Sequence, residues 1–407
     1  MSRPSWLLLL LVPGLHAADW PQWRGPTADG VSADAGFPTE WDGPKGTGVT
    51  WKAKLPGAGN GSPVVMGEDV LLTATSGRAH GELHVLCFDR KTGKPRWQTD
   101  LTGTPADAPF SQFPPERGHA ACTPVVSADA VFALFGTGDL VALDRKGRPL
   151  WVRSLTKEYG VIRNDYGLAA SPVLADGVLM VQVDHLEGSY LLATDAATGK
   201  TRWKADRKGV YDNWSSPVVA TVKGVKQAVC LGTKGLTSYD LATGKVLATT
   251  DGLERLCSPT PIVRGEKVYA VSGPGGANVA FDLSAGAKPK LLWQTKKTGP
   301  FVPSAVVAND LYFVPDDQGT VTCYALDSGK ELWKERVASG RMRPSPVAAE
   351  GRVYFTALDG TTHVIKAARE YEPVAKNPLG EEVAASFALS EAEIFIRGQT
   401  HLWKVSR

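Results

Sequence analysis

The chain is poor in the groups from which most enzyme sites and nucleic-acid surfaces are built. Seven His are scattered through 407 residues, with no H-E-x-x-H, no H-x-H and no Cys/His cluster, so no zinc site is written into the local sequence. The five Cys form no C-x-x-C and no adjacent pair, and an odd number leaves at least one unpaired within the chain. Cys87, Cys230 and Cys323 fall inside apolar runs, while Cys122 and Cys257 lead into Pro-marked strands, so all five read as small buried hydrophobes. No G-x-S-x-G nucleophile elbow occurs. An excess of one charge is missing too: 45 Lys+Arg face 42 Asp+Glu, a net +3. That balance gives no electrostatic footprint for nucleic acid or an acidic membrane surface, and no nucleic-acid partner is expected. No apolar run approaches the roughly 20 residues of a membrane-spanning helix.

The first residues carry an address. Arg3 supplies a positive start, Trp6 to Val12 a short apolar core, Pro13-Gly14 a break, and Ala17-Ala18 a small-residue cleavage site. This is the pattern of a secretory signal peptide over residues 1–17. No Cys follows it directly, so no lipid anchor is expected there. The mature chain is expected in the periplasm or secreted, as a monomer. Residues 18–48 hold Trp20, Trp23 and several Gly and Pro without helical or strand periodicity. They read as an arm packed across the outside of the main body, anchored by the two tryptophans; an exposed aromatic pair for a partner is the alternative.

What the chain has in abundance is turns: Gly 43 and Pro 28. Ala170 to Trp203 shows why. Three short apolar runs are separated by Gly-containing turns, and a fourth starts at the tryptophan, which is a β-meander. The start of the inner strand, usually Ser/Thr-Pro-Val, recurs at Pro63, Pro124, Pro172, Pro217, Pro261, Ala305, Pro346 and Phe387. Intervals of 41 to 61 residues fit a four-stranded propeller blade. Proline is tolerated there because it begins the strand and removes no ladder donor.

The second half of the repeat is a hairpin. Ala193-Thr194-Asp195 leads through Thr198-Gly199-Lys200 to Trp203, and further copies end at Trp97, Trp151 and Trp333. Asp caps the turn, Gly supplies a left-handed position and Lys faces water. Trp97, Trp151, Trp203, Trp293 and Trp333 are expected to dock adjacent blades together. The copy at Thr243-Gly244-Lys245 runs to Ala248 without an aromatic.

The A-x-D-x-x-T-G-K-x-x-W pattern resembles the repeat of pyrroloquinoline-quinone-like (PQQ-like) β-propellers, of the BamB-like and quinoprotein alcohol dehydrogenase-like superfamily. The opening Trp20-Pro21-Gln22-Trp23-Arg24-Gly25-Pro26 is similar to the start of exported bacterial members. The fold expected is all-β: one eight-bladed propeller over residues 49–407, with four-stranded blades. The last unit, Ala384 to Val405, has only three strands' worth of sequence, and Val49 to Lys54 is an orphan strand able to complete it. The N-terminal strand should therefore close the ring and cover its free edges. A seven-bladed ring with a decorated terminus is the alternative.

The resemblance implies three kinds of function. A quinoprotein dehydrogenase would hold pyrroloquinoline quinone (PQQ) and Ca²⁺ over the propeller axis, beside an adjacent Cys pair and an Asp; this chain has no Cys-Cys. The propeller subunit of the outer-membrane barrel-assembly machinery is a scaffold. The third is an exported module that binds a small molecule, a sugar or a protein. The expectation is a non-enzymatic binding or scaffolding module with no cofactor, PQQ and Ca²⁺ belonging only to the dehydrogenase alternative. Its ligand or partner should meet the loops entering the inner strands, which converge on one mouth of the channel. These carry Arg117, His119, Arg163, Asn164, Asp165, Tyr166, Asn213, Trp214, Arg255, Arg341 and Arg343. No catalytic or metal-binding residue is assigned. His80 and His84 read as surface-loop residues, Asp316 to Gly319 as a hairpin turn, and Gly273 to Gly276 as a loop without the helix that phosphate binding needs.

Overall fold

A computed structural model describes residues 19–104, 118–164, 166–233, 235–253, 256–297 and 299–407. Among them the strands form eight four-stranded antiparallel sheets. Seven are built from consecutive strands, spanning residues 64–102, 125–154, 173–206, 218–249, 262–297, 306–336 and 347–377 (blades 1 to 7). Every inner strand starts directly after its marker, at Val64, Val125, Val173, Val218, Ile262, Val306, Val347 and Ala388. The fold is the eight-bladed β-propeller expected from the repeat.

Blade 8 is made from both ends of the chain. Its first three strands are Ala388–Ser390, Glu393–Arg397 and His401–Val405. Its outer strand is Val49–Lys54, paired antiparallel to the last, with Lys52 opposite Trp403. The ring thus closes with the N-terminal strand, which pairs the otherwise bare edge of His401–Val405 and becomes the outer strand of the blade.

Between blades the cores are strips of aliphatic side chains from two facing sheets. Leu71, Val85 and Cys87 of blade 1 meet Val131 and Val141 of blade 2. All five cysteines are free and buried, as expected of small core residues. Burial pushes the thiols of Cys122, Cys230 and Cys323 up to about 12, so they stay protonated and inert.

Around the outside, a tryptophan of one blade's fourth strand lies on the hairpin turn of the next blade. Trp203 donates from Nε1 to the carbonyl of Leu241 at 3.0 Å, and its ring covers Gly244, where a Cβ would sit 2.6 Å from ring carbons. Gly244 has φ +73°, so glycine is required there twice over, for the turn and for the ring above it. Trp97 and Trp151 do the same over Gly147 and Gly199, as does Trp293 over Gly329. Trp51, on the strand that closes the ring, covers Gly93. Trp333 bonds the Ala368 carbonyl and meets Tyr371 edge-on.

The arm departs from its expected course. Its first part, to Val31, does not lie on the outside but crosses from the inner strands of blades 1 and 2 to those of blades 6 and 7, closing the end of the channel remote from the loop mouth. Residues 43–47 lie over the outer strand of blade 7. Trp20 is 1% exposed, and its backbone pairs with Val65 of blade 1's inner strand. Pro21 accepts from Val126 N–H, and Val31 bridges Ala348. The inner edges of the blades carry unpaired backbone groups, and the arm satisfies several of them on its way across. Arg24, fully buried, donates to the carbonyls of Asp29 and Ala305; burial lowers its pKa to about 10.

Candidate functional site

The Ser or Thr of each inner-strand marker faces the channel, and together these residues form a ring. At seven of the eight junctions the N–H of one donates to the hydroxyl of the next blade's residue. Ser62 donates to Thr123 (2.9 Å), Thr123 to Ser171 (3.0 Å) and Ser171 to Ser216 (2.8 Å). Beyond blade 5, Thr260 donates to Ser304 (2.9 Å), Ser304 to Ser345 (2.9 Å) and Ser345 to Ser386 (2.8 Å). Ser386 returns to Ser62 at 3.0 Å. The Thr260 hydroxyl also accepts the indole N–H of Trp23, from the arm, at 2.9 Å. Each hydroxyl that accepts a neighbour's N–H keeps its own proton to donate elsewhere, so the wall of the channel is rich in donors.

Trp23 and this ring line a cavity of about 400 Å³. With the arm across one end, the channel is a cup rather than a pore. At the open rim stand Tyr166, Trp214 and Phe301, and Arg341 and Arg343 also line it. The three aromatic rings meet edge-on, with centroids 5.3 Å (Tyr166–Trp214), 5.8 Å (Trp214–Phe301) and 5.9 Å (Tyr166–Phe301) apart. Among the described residues lining the cup there is no carboxylate.

The aromatic rings are held from behind. Trp214 Nε1 donates to Asn164 Oδ1 and to the Gly167 carbonyl, both at 2.9 Å. Asn164 Oδ1 also accepts the Tyr166 N–H. The carboxylate of Asp317 accepts the N–H groups of Phe301 and Val302, at 2.5 and 3.1 Å. Behind Trp214 lies a dry polar network between blades 3 and 4. Arg207 and Asp184 form an ion pair at 2.7 Å with side chains 1% and 0% exposed. Asn213 and Gln182 complete it, each donating to both Asp184 and the Leu231 carbonyl. A buried pair of this kind is tolerated because both charges are hydrogen-bonded from several sides, Arg207 donating also to Tyr239 Oη and the Leu231 carbonyl.

Of the residues singled out from sequence, Tyr166, Trp214, Arg341 and Arg343 come together in the cup. Asn164 and Asn213 stand behind its wall and are 6% and 2% exposed. Arg163 points into solvent toward Glu187 at 3.7 Å. His119 packs edge-on to His80, with ring centroids 6.4 Å apart, and burial lowers its pKa. Arg117, Asp165 and Arg255 lie outside the described residues. Phe301, Trp23 and the hydroxyl ring were missed. The Ser/Thr before each proline was visible but read only as a strand start, and nothing local marks Phe301. His84 is corrected: it sits in a strand and is buried, because its neighbours Leu83 and Val85 place it in blade 1's sheet.

Comparison with known proteins agrees with this architecture. The family described as outer membrane protein assembly factor BamB matches residues 39–160, 81–300 and 287–370. The chain belongs to this family of PQQ-like propellers. Among its members, BamB of Bordetella pertussis is 27% identical over 343 residues, covering 80% of this chain and 78% of its own. The crystal structure of BamB from Moraxella catarrhalis superposes with a TM-score of 0.64 at 14% identity, over 87% of this chain and 96% of that one. Quinohemoprotein alcohol dehydrogenase from Comamonas testosteroni gives 0.71 at 13% identity, over 95% and 80%. At such identities the two superpositions share a fold and do not separate scaffold from enzyme.

Calcium takes six to eight oxygens, with carboxylates prominent among them. The cup's described lining offers hydroxyls, guanidinium groups and Asn60 instead, and no cluster of three or more His, Cys, Asp or Glu poised for a metal occurs among the described residues. The described lining of the cup thus lacks the carboxylates that a Ca²⁺ site calls for. Its arginines and aromatic faces suit a flat or anionic guest.

Proposed function

We propose that this chain is an exported binding or scaffolding propeller that acts through its cup without chemistry there. The observation that carries the reading is the cup itself: closed at one end by the arm, lined with donors, and rimmed by three aromatic rings and two arginines. Such a site receives a planar or anionic group, from a small molecule or projecting from a partner protein, because Arg forks match carboxylates and aromatic faces stack on flat apolar ones. The BamB relatives are named as assembly factors, which supports a protein partner, and the N-terminal signal pattern supports a periplasmic or secreted location. The family's quinone is not required in this reading.

Native mass spectrometry of the protein purified from its own periplasm tests it. A co-purifying protein or anionic molecule, lost in the Arg341→Ala/Arg343→Ala double variant while the melting temperature stays unchanged, is the expected result. A double variant that melts lower and retains its companion would show that the two arginines are only structural. Reconstitution with PQQ and Ca²⁺ is the decisive contrary test. Dye-linked oxidation of alcohols or sugars by the reconstituted protein would overturn the reading.

A further inference from the structure

A second constellation lies on blade 1, away from the cup. Ser76 ends the second strand, His84 lies in the third and Asp100 in the fourth. His84 is paired directly with Asp100 across the sheet, and Ser76 lies diagonally from His84 across the neighbouring pair of strands. Three strands therefore present the three side chains on one face. Ser76 Oγ is 2.7 Å from His84 Nε2, and His84 Nδ1 is 2.7 Å from Asp100 Oδ1. His84 is 5% exposed, Ser76 partly exposed, and the Asp100 side chain open to water. The order hydroxyl, imidazole, carboxylate, with both imidazole nitrogens engaged, is the geometry of an activated serine.

Two neighbours give the arrangement a place to work. Along the same face the next cross-strand pair is Leu86–Gln98, and Gln98 donates to Asp100 Oδ1 at 2.7 Å. Leu86 and Gln98 line a groove of about 360 Å³ with Leu55, Pro56 and Phe88, at the junction with blade 8. A groove with apolar contacts from Leu55, Leu86, Phe88 and Trp97, and with Lys54 and Gln98 as its polar lining, thus adjoins the relay. On the other side, a Cβ on Gly57 would lie 3.3 Å from the Ser76 Cβ, so the chain passes Ser76 without a side chain to shield it.

We propose that Ser76, His84 and Asp100 are a nucleophile, general base and orienting carboxylate that hydrolyse carboxylic esters carrying a short apolar acyl chain. Ser76 Oγ attacks the ester carbonyl while its proton passes to His84 Nε2. His84 returns that proton to the departing alkoxide, leaving the acyl group on Ser76. Water, deprotonated by His84, then releases the acid and restores the hydroxyl. Asp100 holds the Nδ1–H tautomer throughout. The proposal is independent of the cup.

Glu82 makes the proposal sharp. Its Oε2 also lies 2.7 Å from Ser76 Oγ, so one hydroxyl proton has two acceptors. A carboxylate there diverts the proton from His84, whereas an amide donates to Oγ and commits the proton to the imidazole. The test is labelling of the whole protein with a fluorophosphonate probe, the modified residue located by peptide mass spectrometry, alongside hydrolysis of p-nitrophenyl butyrate. The parent should be labelled at Ser76, and Ser76→Ala should lose both label and turnover. Removing the base with His84→Gln should slow labelling by about 100-fold or more. Asp100→Asn, at an exposed position that leaves the fold intact, should slow it as well. Glu82→Gln should accelerate it, a gain that a merely structural hydrogen-bond cluster would not produce. A natively melting parent that takes no label at Ser76 overturns the proposal, and so does labelling that ignores Asp100→Asn and Glu82→Gln.

Discussion

The propeller is closed twice, at two radii, by two chemistries. At the channel, small hydroxyls link blade to blade at seven of the eight junctions, and blade 8 takes part on both of its sides. At the periphery, tryptophans bind one blade to the next turn, and this outer circle is broken at two of its eight junctions. The residue at the clasp position is Ala248 in blade 4 and Ala375 in blade 7. In both cases the reason lies in the following blade. Blade 5 replaces the Thr-Gly-Lys turn with a short helical turn at Leu283–Ala285, and nothing lies near a Cβ on its Gly286. Blade 8 has no such turn, because its third strand ends the chain and its fourth comes from the N-terminus. The tryptophan is thus a property of a junction and not of a blade, kept where the next blade offers a hairpin turn to receive it: a glycine turn at five junctions and the Ala368–Tyr371 turn at Trp333. The inner ring needs nothing but the Ser or Thr two residues before each inner strand, which every blade has.

The comparison can be broken at its largest point by removing the seam. Deleting residues 19–54 takes away the outer strand of blade 8, the Trp51 clasp and the buried Trp20 together. Size-exclusion and thermal melts should show aggregation or loss of a cooperative transition; a monomer melting like the parent would mean that the ring does not depend on this closure. Next comes a single clasp. Trp203→Ala should cost about 2–3 kcal/mol in denaturant melts, short of the roughly 3–5 for a wholly buried ring because this indole is only partly buried. One link of the inner ring is expected to be worth less. Ser345→Ala leaves the buried N–H of Ser304 without its acceptor, a loss of about 1–2 kcal/mol, read by the same melts. The finest test compares two glycines of equal φ, Gly244 and Gly209, both at +73°. Gly244→Ala and Gly209→Ala both strain a positive φ, but only the first pushes a methyl into a tryptophan. The first should cost about 1 kcal/mol or more beyond the second, whose penalty is backbone strain alone; equal costs would show that the clasp contributes nothing.

Most of the fold could be read from the sequence because propeller blades are written in local signals. Pro63 or Gly199 marks a strand start or a turn within a few residues of itself, and periodic repetition corrects the errors of any one copy. The orphan strand at Val49–Lys54 was legible for the same reason: it matched a strand type whose partners were missing. The site was less legible because it is assembled across blades. Arg341 and Trp214 were found as polar or aromatic residues in mouth loops, but sequence gives no sign that Asn213 turns inward to Asp184 while Trp214 lines the cup. Phe301 joins Tyr166 only through the ring's curvature. The relay on blade 1 was invisible because Ser76, His84 and Asp100 are neighbours only through strand register, and a shift of one residue would part them.

The seam between Thr50 and Ser406, 356 residues apart, also sets the order of events as the protein forms. Seven blades close on themselves within some thirty to forty residues and can assemble as the chain emerges. The eighth must wait for the last strand, because its outer strand is Val49–Lys54 and its other three lie at the far end of the sequence. Closing a flexible loop of that length costs about 5 kcal/mol by the logarithmic loop law, against little for a hairpin, and the stacking of the seven blades offsets this by carrying the two ends toward each other. Until then the outer edge of His401–Val405 stands unpaired. That interval is when the chain is most exposed to proteolysis, mispairing and exchange of its N-terminal strand with another copy.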